Sequence, residues 1–596
     1  MTAEDDDLLD RPVDLGFLPR LWPFVRPYRR AFAGSLALLL VSFCIELAGP
    51  WLMRAAIDGP MRDATATHDE RVRSLFFYAL AFFGVVLLGT ACSYAYGRLT
   101  AWNGQRVVRD VRRTLFDRLL RAPLSFHEGS AAGKLTTRVT SDVENLNELI
   151  ATGVLQSAFD LLKITGVLAA LFFLDVRLAL FTVATTPIVI VISVLFRKNA
   201  QRAYRAVRGK IALQNAFTSE AIGGVRATRA ALREDTVQAR YETLNADTAT
   251  SWRATVFHFS VFFALVDFAL RATSIGLLWF GGSAVLRGEA EPGVFVQFWL
   301  YFGMLTSPIK ELGEKYNVLQ AAFASAERIF AILAVEPFPP PPHGTHTAKD
   351  AGPLGVAFDD VSFGYREGEA TLANVTFEAK PGQTIAIVGP TGAGKSTILS
   401  LVSRLRDPRS GHVRIGGVDT KKWDVHSLRR RVGVVAQDLF LFTGSVLDNV
   451  RLFDRTISEE RAMQALDLVG AGDFVRSLDK GLHAPVEERG GTFSQGQRQL
   501  LAFARALATD PSVLVLDEAT ASIDSASEAR LQRALQIALQ HRTALVVAHR
   551  LSTVQHADQI LVVEKGRIVE RGTHRELVQK NGVYAGMLRA CSHAAS

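Results

Sequence analysis

Six stretches of the chain, at 31–53, 74–97, 152–174, 177–197, 255–281 and 293–315, are apolar almost throughout. A helix of about 20 residues crosses about 30 Å of hydrocarbon, a medium in which only helices and closed barrels satisfy their backbone polar groups. The pattern therefore predicts six membrane-spanning helices within residues 1–335 and excludes a wholly water-soluble fold. Composition agrees: 48% of the 596 residues are hydrophobic, 37 are Phe, and 21% are charged, against about 25% in an ordinary soluble domain. Ahead of the first span, LPRLWPFVRPYRR (18–30) is basic and aromatic and reads as an elbow helix lying in the interface. The first 25 residues lack the apolar core of a cleavable signal peptide, so the N-terminus is expected to stay cytosolic.

The segments between spans differ in charge. Residues 98–150 carry Arg98, Arg106, Arg109, Arg112, Arg113, Arg118, Arg121, Lys134 and Arg138, and residues 197–253 carry Arg197, Lys198, Arg202, Arg205, Arg208 and Lys210. The segment 54–73 mixes Asp58, Asp63, Asp69 and Glu70 with arginines. The positive-inside rule then places both long loops and both termini in the cytosol. The helical pattern in these loops predicts that the helices continue beyond the bilayer. The net charge of +8 belongs to this topology, because the arginines flank apolar spans; no nucleic-acid partner is implied. Cys44, Cys92 and Cys591 are too few and too scattered for a disulfide framework or a metal site.

Five ionisable residues fall inside spans: Glu46, Asp160, Lys163, Asp267 and Arg271. Facing lipid, five charges would cost roughly 12–17 kcal/mol at ~2.5–3.5 kcal/mol each, so they must pair or face water. Asp160/Lys163 and Asp267/Arg271 stand at i,i+3 and i,i+4 and are expected to pair locally. Glu46 has no local partner; it either attracts a cationic substrate or bonds to another helix.

The character of the chain changes at EPFPPPPHGTH (336–346), an extended proline-rich spacer. Beyond it, TIAIVG (384–389), RVGVVAQ (431–437), VLVLDEA (513–519) and TALVVAH (543–549) alternate with helical segments. Near-continuous β-branched runs of this kind predict an α/β domain with buried, mostly parallel strands. The expected division is a membrane domain over 1–335, a linker over 336–354 and an α/β domain over 355–596.

Gly389-Pro390-Thr391-Gly392-Ala393-Gly394-Lys395-Ser396 fits the phosphate-loop pattern, with a strand before it and the helical run STILSLVSRL (396–405) after it. Its glycines let backbone N–H groups curl around phosphates at a helix N-terminus. Lys395 is placed to reach the β- and γ-phosphates of ATP, and the Ser396 hydroxyl to ligate Mg2+. The run Val513–Leu516 leads to Asp517-Glu518. Asp517, ending a buried strand, is the expected second Mg2+ contact, and Glu518 the group that orients or deprotonates the attacking water.

From these residues onward the sequence resembles the ATP-binding-cassette (ABC) transporters of exporter type, over roughly 15–590. The most specific marker is Phe493-Ser494-Gln495-Gly496-Gln497, followed by RQLLAFARAL. The resemblance implies an all-α membrane domain of six helices and a C-terminal α/β P-loop cassette with a helical subdomain. Ser494, Gly496 and Gln497 would then cap the γ-phosphate of ATP held by the opposite subunit, so that two chains sandwich two ATPs. It further implies that Tyr365 stacks on adenine, that Gln437 contacts Mg2+ and the attacking water, that Asp524 belongs to the cross-dimer loop, and that His549 contacts the γ-phosphate. Glu488-Arg489-Gly490 matches a stretch close to the coupling helices of exporters. Residues 123–146 and 215–230 resemble the two intracellular loops that carry those helices.

Two segments depart from the family pattern. Phe493 and Gln495 replace Leu and Gly in the usual Leu-Ser-Gly-Gly-Gln, and the loop at Asp524 reads Ala-Ser-Ile-Asp rather than Ser-Ala-Leu-Asp. The altered signature beside an intact Glu518 favours a heterodimer with a different half-transporter over a homodimer. The implied function is ATP-driven export of a drug- or lipid-like cargo from a bacterial cell, with an importer on the same fold as the alternative.

Overall fold

The computed structural model describes residues 18–63, 65–150, 155–339, 344–347, 352–366, 368–437, 439–517, 533, 535–548 and 554–594. Two compact units emerge: one takes the chain up to 120 and then 132–335, the other takes 121–131 and everything from 336.

The first unit is helical. Its principal helices are α1 (Arg29–Asp58), α2 (His68–Arg121), α3 (Leu155–Leu174), α4 (Val176–Ala184), α5 (Thr186–Gly223), α6 (Glu234–Leu286) and α7 (Pro292–Leu333). The amphipathic segment before the first span is a short helix, Leu18–Val25. Among the described residues, four helical stretches are long and apolar enough to cross a membrane: Pro19–Asp58, His68–Arg121, Gln156–Leu174 and Glu234–Leu286. A shorter apolar stretch, Pro292–Leu305, opens α7.

The six spans expected from the sequence therefore do not all recur as uninterrupted helices. The stretch 177–197 is divided at Thr185 between α4 and α5. Pro187 is the physical reason: it has no N–H to donate to Val183, and its ring crowds that carbonyl.

The helices lock through apolar side chains, with Phe43, Val167, Leu171, Val266, Leu270, Leu277, Phe298 and Leu305 all buried in one cluster. Close approach uses small residues, as membrane helices commonly do. A Cβ at Gly276 of α6 would lie 2.3 Å from the tip of Phe181 on α4. Elsewhere apolar side chains face outward: Phe76, Phe83 and Leu87 of α2 are each more than 60% exposed. That is the inverse of a soluble helix bundle.

Four of the five intramembrane charges stand in two ion pairs. Arg271 donates to Asp267 at 2.6 Å, one helical turn apart. Lys163 of α3 donates to Glu46 of α1, so Glu46 has an interhelical partner, and Asp160 is buried. Ahead of α3 in sequence the chain passes through a π-helical turn, Arg138–Asp142. There Asp142 accepts from Arg138 at 2.8 Å, from Arg328 at 2.6 and 3.0 Å and from Ser325 at 3.0 Å.

The second unit holds two sheets. A four-stranded antiparallel sheet has the order β2-β1-β4-β5 and a six-stranded sheet the order β12-β11-β3-β10-β9-β6, with β7 and β8 forming a small ribbon. The strands are β1 (Val356–Phe363), β2 (Leu372–Ala379), β3 (Thr384–Val388), β4 (Ser410–Ile415), β5 (Val418–Asp419), β6 (Val432–Val435), β7 (Gly444–Ser445), β8 (Pro485–Val486), β9 (Val513–Asp517), β10 (Thr543–Val547), β11 (Gln559–Glu564) and β12 (Arg567–Gly572). The four apolar runs picked from the sequence are β3, β6, β9 and β10, all parallel, with β10 paired to both β3 and β9 and β9 to β6.

Alternation along β3 serves two cores. Ile385 and Ile387 face one together with α8 (Lys395–Val402) and the antiparallel sheet, whereas Ala386 and Val388 face the other together with α9 (Gln495–Ala508). Covering both faces is what permits strands this apolar.

Candidate nucleotide site

Register brings the carboxyl ends of the central strands to one edge. Ile387 stands beside Val547, Val547 beside Asp517, and Leu516 beside Val435. The turn after β3, the carboxylate ending β9 and Gln437 just beyond β6 thus leave the sheet at the same end. In open α/β sheets that end is where ligands bind.

The turn after β3 is built by its glycines. A Cβ on Gly389 would lie 2.1 Å from the Val563 carbonyl of β11. Gly394 adopts φ +100° immediately before α8, where a side chain would lie 2.7 Å from Leu372. The intervening backbone is stitched down on one side, with Ala393 N–H donating to Pro390 O at 3.2 Å and Ala393 O accepting from Gly566 N–H. Pro390, Thr391 and Gly392 are exposed at its mouth, and so is Ser396 at the start of α8.

Lys395 curls back over this loop and donates to the carbonyls of Gly389 at 2.8 Å and Pro390 at 2.9 Å. Burial holds its pKa below the usual lysine value, while the Asp517 carboxylate pulls the other way. A buried ammonium resting on neutral carbonyls is suited to an incoming polyanion. Ser396, Asp517 and Gln437 offer hydroxyl, carboxylate and amide oxygens, the hard donor set that Mg2+ takes. The residues present therefore fit a magnesium nucleotide.

Tyr365 lies just after β1, half-exposed, its hydroxyl 3.0 Å from the buried Thr397 hydroxyl of α8. Its ring meets Phe363 edge-on at 5.2 Å, and the Arg406 guanidinium lies 4.6 Å from its centroid. Arg406 was not singled out from the sequence. It lies in the basic run RLRDPR (404–409) directly after α8, and that density of arginines beside a phosphate loop is the signal that could have flagged it.

The signature segment is placed separately. Ser494 caps α9, accepting from Gln497 N–H at 3.3 Å, while Gln497 Oε1 accepts from Ser494 N–H at 2.8 Å. Phe493, one of the two signature positions that depart from the family pattern, is buried against Phe474 at 5.6 Å. It is a packing residue in a larger version. Gln495, the other departure, is exposed at the first turn of α9, and Gly496 is buried.

Behind them, Arg505 of α9 donates to Asn449 O at 2.8 Å and Phe440 O at 3.0 Å. The signature helix is thereby fastened to the segment that follows Gln437. Glu488–Gly490 forms a tight turn whose Gly490 leaves no room for a Cβ beside Leu441. The expected catalytic Glu518, the cross-dimer Asp524 and His549 lie outside the described residues.

Fused membrane and cassette regions, with this sheet edge, define an ATP-dependent membrane transporter. Residues 32–309 match the family model for the ABC transporter transmembrane region, and residues 372–521 match the family model described as ABC transporter. The chain is 36% identical to the uncharacterized ABC transporter ATP-binding protein YknV of Bacillus subtilis, over 98% of its own length and 96% of that protein's. It is 31% identical to the ATP-dependent lipid A-core flippase of Desulfotalea psychrophila, over 95% and 98% respectively. Its fold matches a solved bacterial Atm1-family ABC exporter with ATP bound at TM-score 0.79 and 24% identity, covering 94% of this chain and 98% of that one. The chain belongs to the ABC transporters: it is an ATPase of exporter-type fold, a half-transporter carrying one membrane domain and one cassette.

Proposed function

We propose that this chain is one half of an ATP-driven exporter that moves a hydrophobic or amphipathic cargo, drug- or lipid-like, by alternating access. The observation that carries the reading is the loop 389–396 with Lys395 folded onto it, in a chain whose other half exposes apolar helix faces. Relatives named as multidrug export proteins, among them YgaD of Bacillus subtilis at 31% identity over 96% of this chain, favour export over import.

Each residue has a role in this scheme. Residues 389–397 hold the phosphate chain, with Lys395 on the β- and γ-phosphates and Tyr365 against adenine. Ser396, Asp517 and Gln437 hold Mg2+, which neutralises phosphate charge when bound. Glu518 orients or deprotonates the attacking water and His549 contacts the γ-phosphate. Ser494, Gly496, Gln497 and Asp524 act on the nucleotide of the opposite subunit. Residues 1–335 form the membrane domain, 336–354 the linker and 355–596 the cassette; both termini and the cassette lie on the cytosolic side of a bacterial plasma membrane. The partner half is a different chain, and the exposed Gln495 at a glycine position of the signature supports this.

The test is transport in inside-out membrane vesicles. ATP-dependent accumulation of a lipophilic dye is expected, and Lys395→Ala should reduce both accumulation and ATP hydrolysis by about 10²–10³-fold, as loss of a preorganised charge at a reacting phosphate does. ATP-dependent uptake by right-side-out vesicles loaded internally with ATP would establish import instead.

A further inference from the structure

Helix Leu124–Glu128 precedes the membrane domain's second block in sequence, yet its segment 121–131 groups with the cassette unit. One contact within that unit joins it to the base end of the nucleotide site. Arg406 donates to the Glu128 carboxylate while its guanidinium lies over the Tyr365 ring at 4.6 Å and near the Phe363 ring at 5.9 Å. Its side chain is only 10% exposed, whereas Glu128 is half-exposed. A guanidinium can do both at once because it is planar: a face stacks on a ring while its N–H groups donate in plane. A lysine ammonium supplies the charge without that geometry.

The loop bearing Tyr365 is otherwise fixed from beneath. Arg409 donates from its backbone N–H to Ser362 O at 2.9 Å and from its guanidinium to Arg366 O. Gly364 leaves no space for a side chain against Glu369 O. The Tyr365 hydroxyl is tied to Thr397 of α8. What remains adjustable is the plane of the ring, and Arg406 is the group lying over it.

We propose that Arg406 is a positioning residue that backs the Tyr365 ring for an adenine base and, through Glu128, makes occupancy of that site felt by residues 121–131. The inference rests on Tyr365 being the adenine platform. Adenine stacking on the ring restrains Tyr365, Tyr365 restrains Arg406, and Arg406 holds the Glu128 end of the short helix.

Two readouts test it on the full chain in lipid nanodiscs. The first is ATP affinity in EDTA, where no hydrolysis occurs, by competition against a fluorescent ATP analogue. Arg406→Ala should weaken ATP by about two- to fivefold, the range of one cation–π contact. Arg406→Lys should recover part of the loss, and Tyr365→Ala/Arg406→Ala should bind no more weakly than Tyr365→Ala alone. The second is hydrogen exchange of residues 121–131, which ATP should slow in the parent chain but not in Arg406→Ala or Glu128→Gln.

Unchanged affinity in Arg406→Ala, full additivity in the double variant, or ATP-dependent slowing of 121–131 that survives both substitutions overturns the proposal. Should Arg406→Ala fail to fold, Arg406→Lys and Glu128→Gln carry both readouts. ATP binding indifferent to Tyr365→Ala strikes the platform reading itself; binding that needs Tyr365 but ignores Arg406 strikes this inference alone.

Discussion

At the scale of single residues, the most demanding position outside the nucleotide site is Asp142. Burial would raise its pKa, but donors from Arg328 and Arg138 outweigh burial and hold the carboxyl below its ordinary value. A carboxylate depressed in the folded state contributes stability that is fully present above the unfolded-state pKa of about 3.9 and disappears as pH falls through the folded value. Asp142→Asn should therefore lower the melting temperature at pH 7, with a cost of about 3–5 kcal/mol because two arginines keep their burial and lose their anion. The same substitution should matter progressively less below pH 4, where the parent carboxyl also becomes neutral. Differential scanning fluorimetry of both proteins in detergent across pH 3–8 measures this. A gap between the two that is as large at pH 3 as at pH 7 would assign the effect to shape rather than charge.

At the scale of elements, contacts between membrane helices are set by shape more than by polarity. The Gly276–Phe181 contact between α6 and α4 leaves no space for a methyl group, and Phe181 is braced by Phe280 at 5.4 Å. Gly276→Ala should destabilise by about 1–3 kcal/mol through overpacking, and Phe181→Leu in the same chain should recover part of the loss; thermal unfolding of the single and double variants reads the coupling. Elements of this kind are partly legible in the sequence. Strands β3, β6, β9 and β10 could be read because both their faces are buried, which leaves continuous apolar runs. The antiparallel sheet could not, because β1 (VAFDDVSF) carries two aspartates and alternates too irregularly to stand out. The phosphate loop was readable since its chemistry is local. Glu46–Lys163 and Arg406–Glu128 were not, since each joins residues more than 100 positions apart, and no spacing rule reaches that far. The break at Thr185 had a visible cause in Pro187, masked by the unbroken hydropathy around it.

At the scale of the whole molecule, the question is what completes a chain with one cassette. On the proposed reading, the signature of one chain acts on the nucleotide held by another, so hydrolysis would need two chains. The two departures in this signature carry unequal weight. Phe493 is absorbed by the core beside Phe474 and says nothing about the partner. Gln495 is exposed in the first turn of α9, beside the Ser494 cap, where a side chain in place of hydrogen narrows the approach of a phosphate. The partner's nucleotide would then meet an encumbered signature, while this chain's own Glu518 would need an unaltered signature from elsewhere. A second copy provides two encumbered signatures; a different half provides one of each. Purified alone, the chain should show weak ATP hydrolysis, and Gln495→Gly should raise it several-fold by making both signatures of a self-pair open. Coexpression with a second half-transporter should raise it as well. Full hydrolysis by the chain alone, unaffected by Gln495→Gly, would make it a homodimer in which Gln495 is an ordinary surface residue.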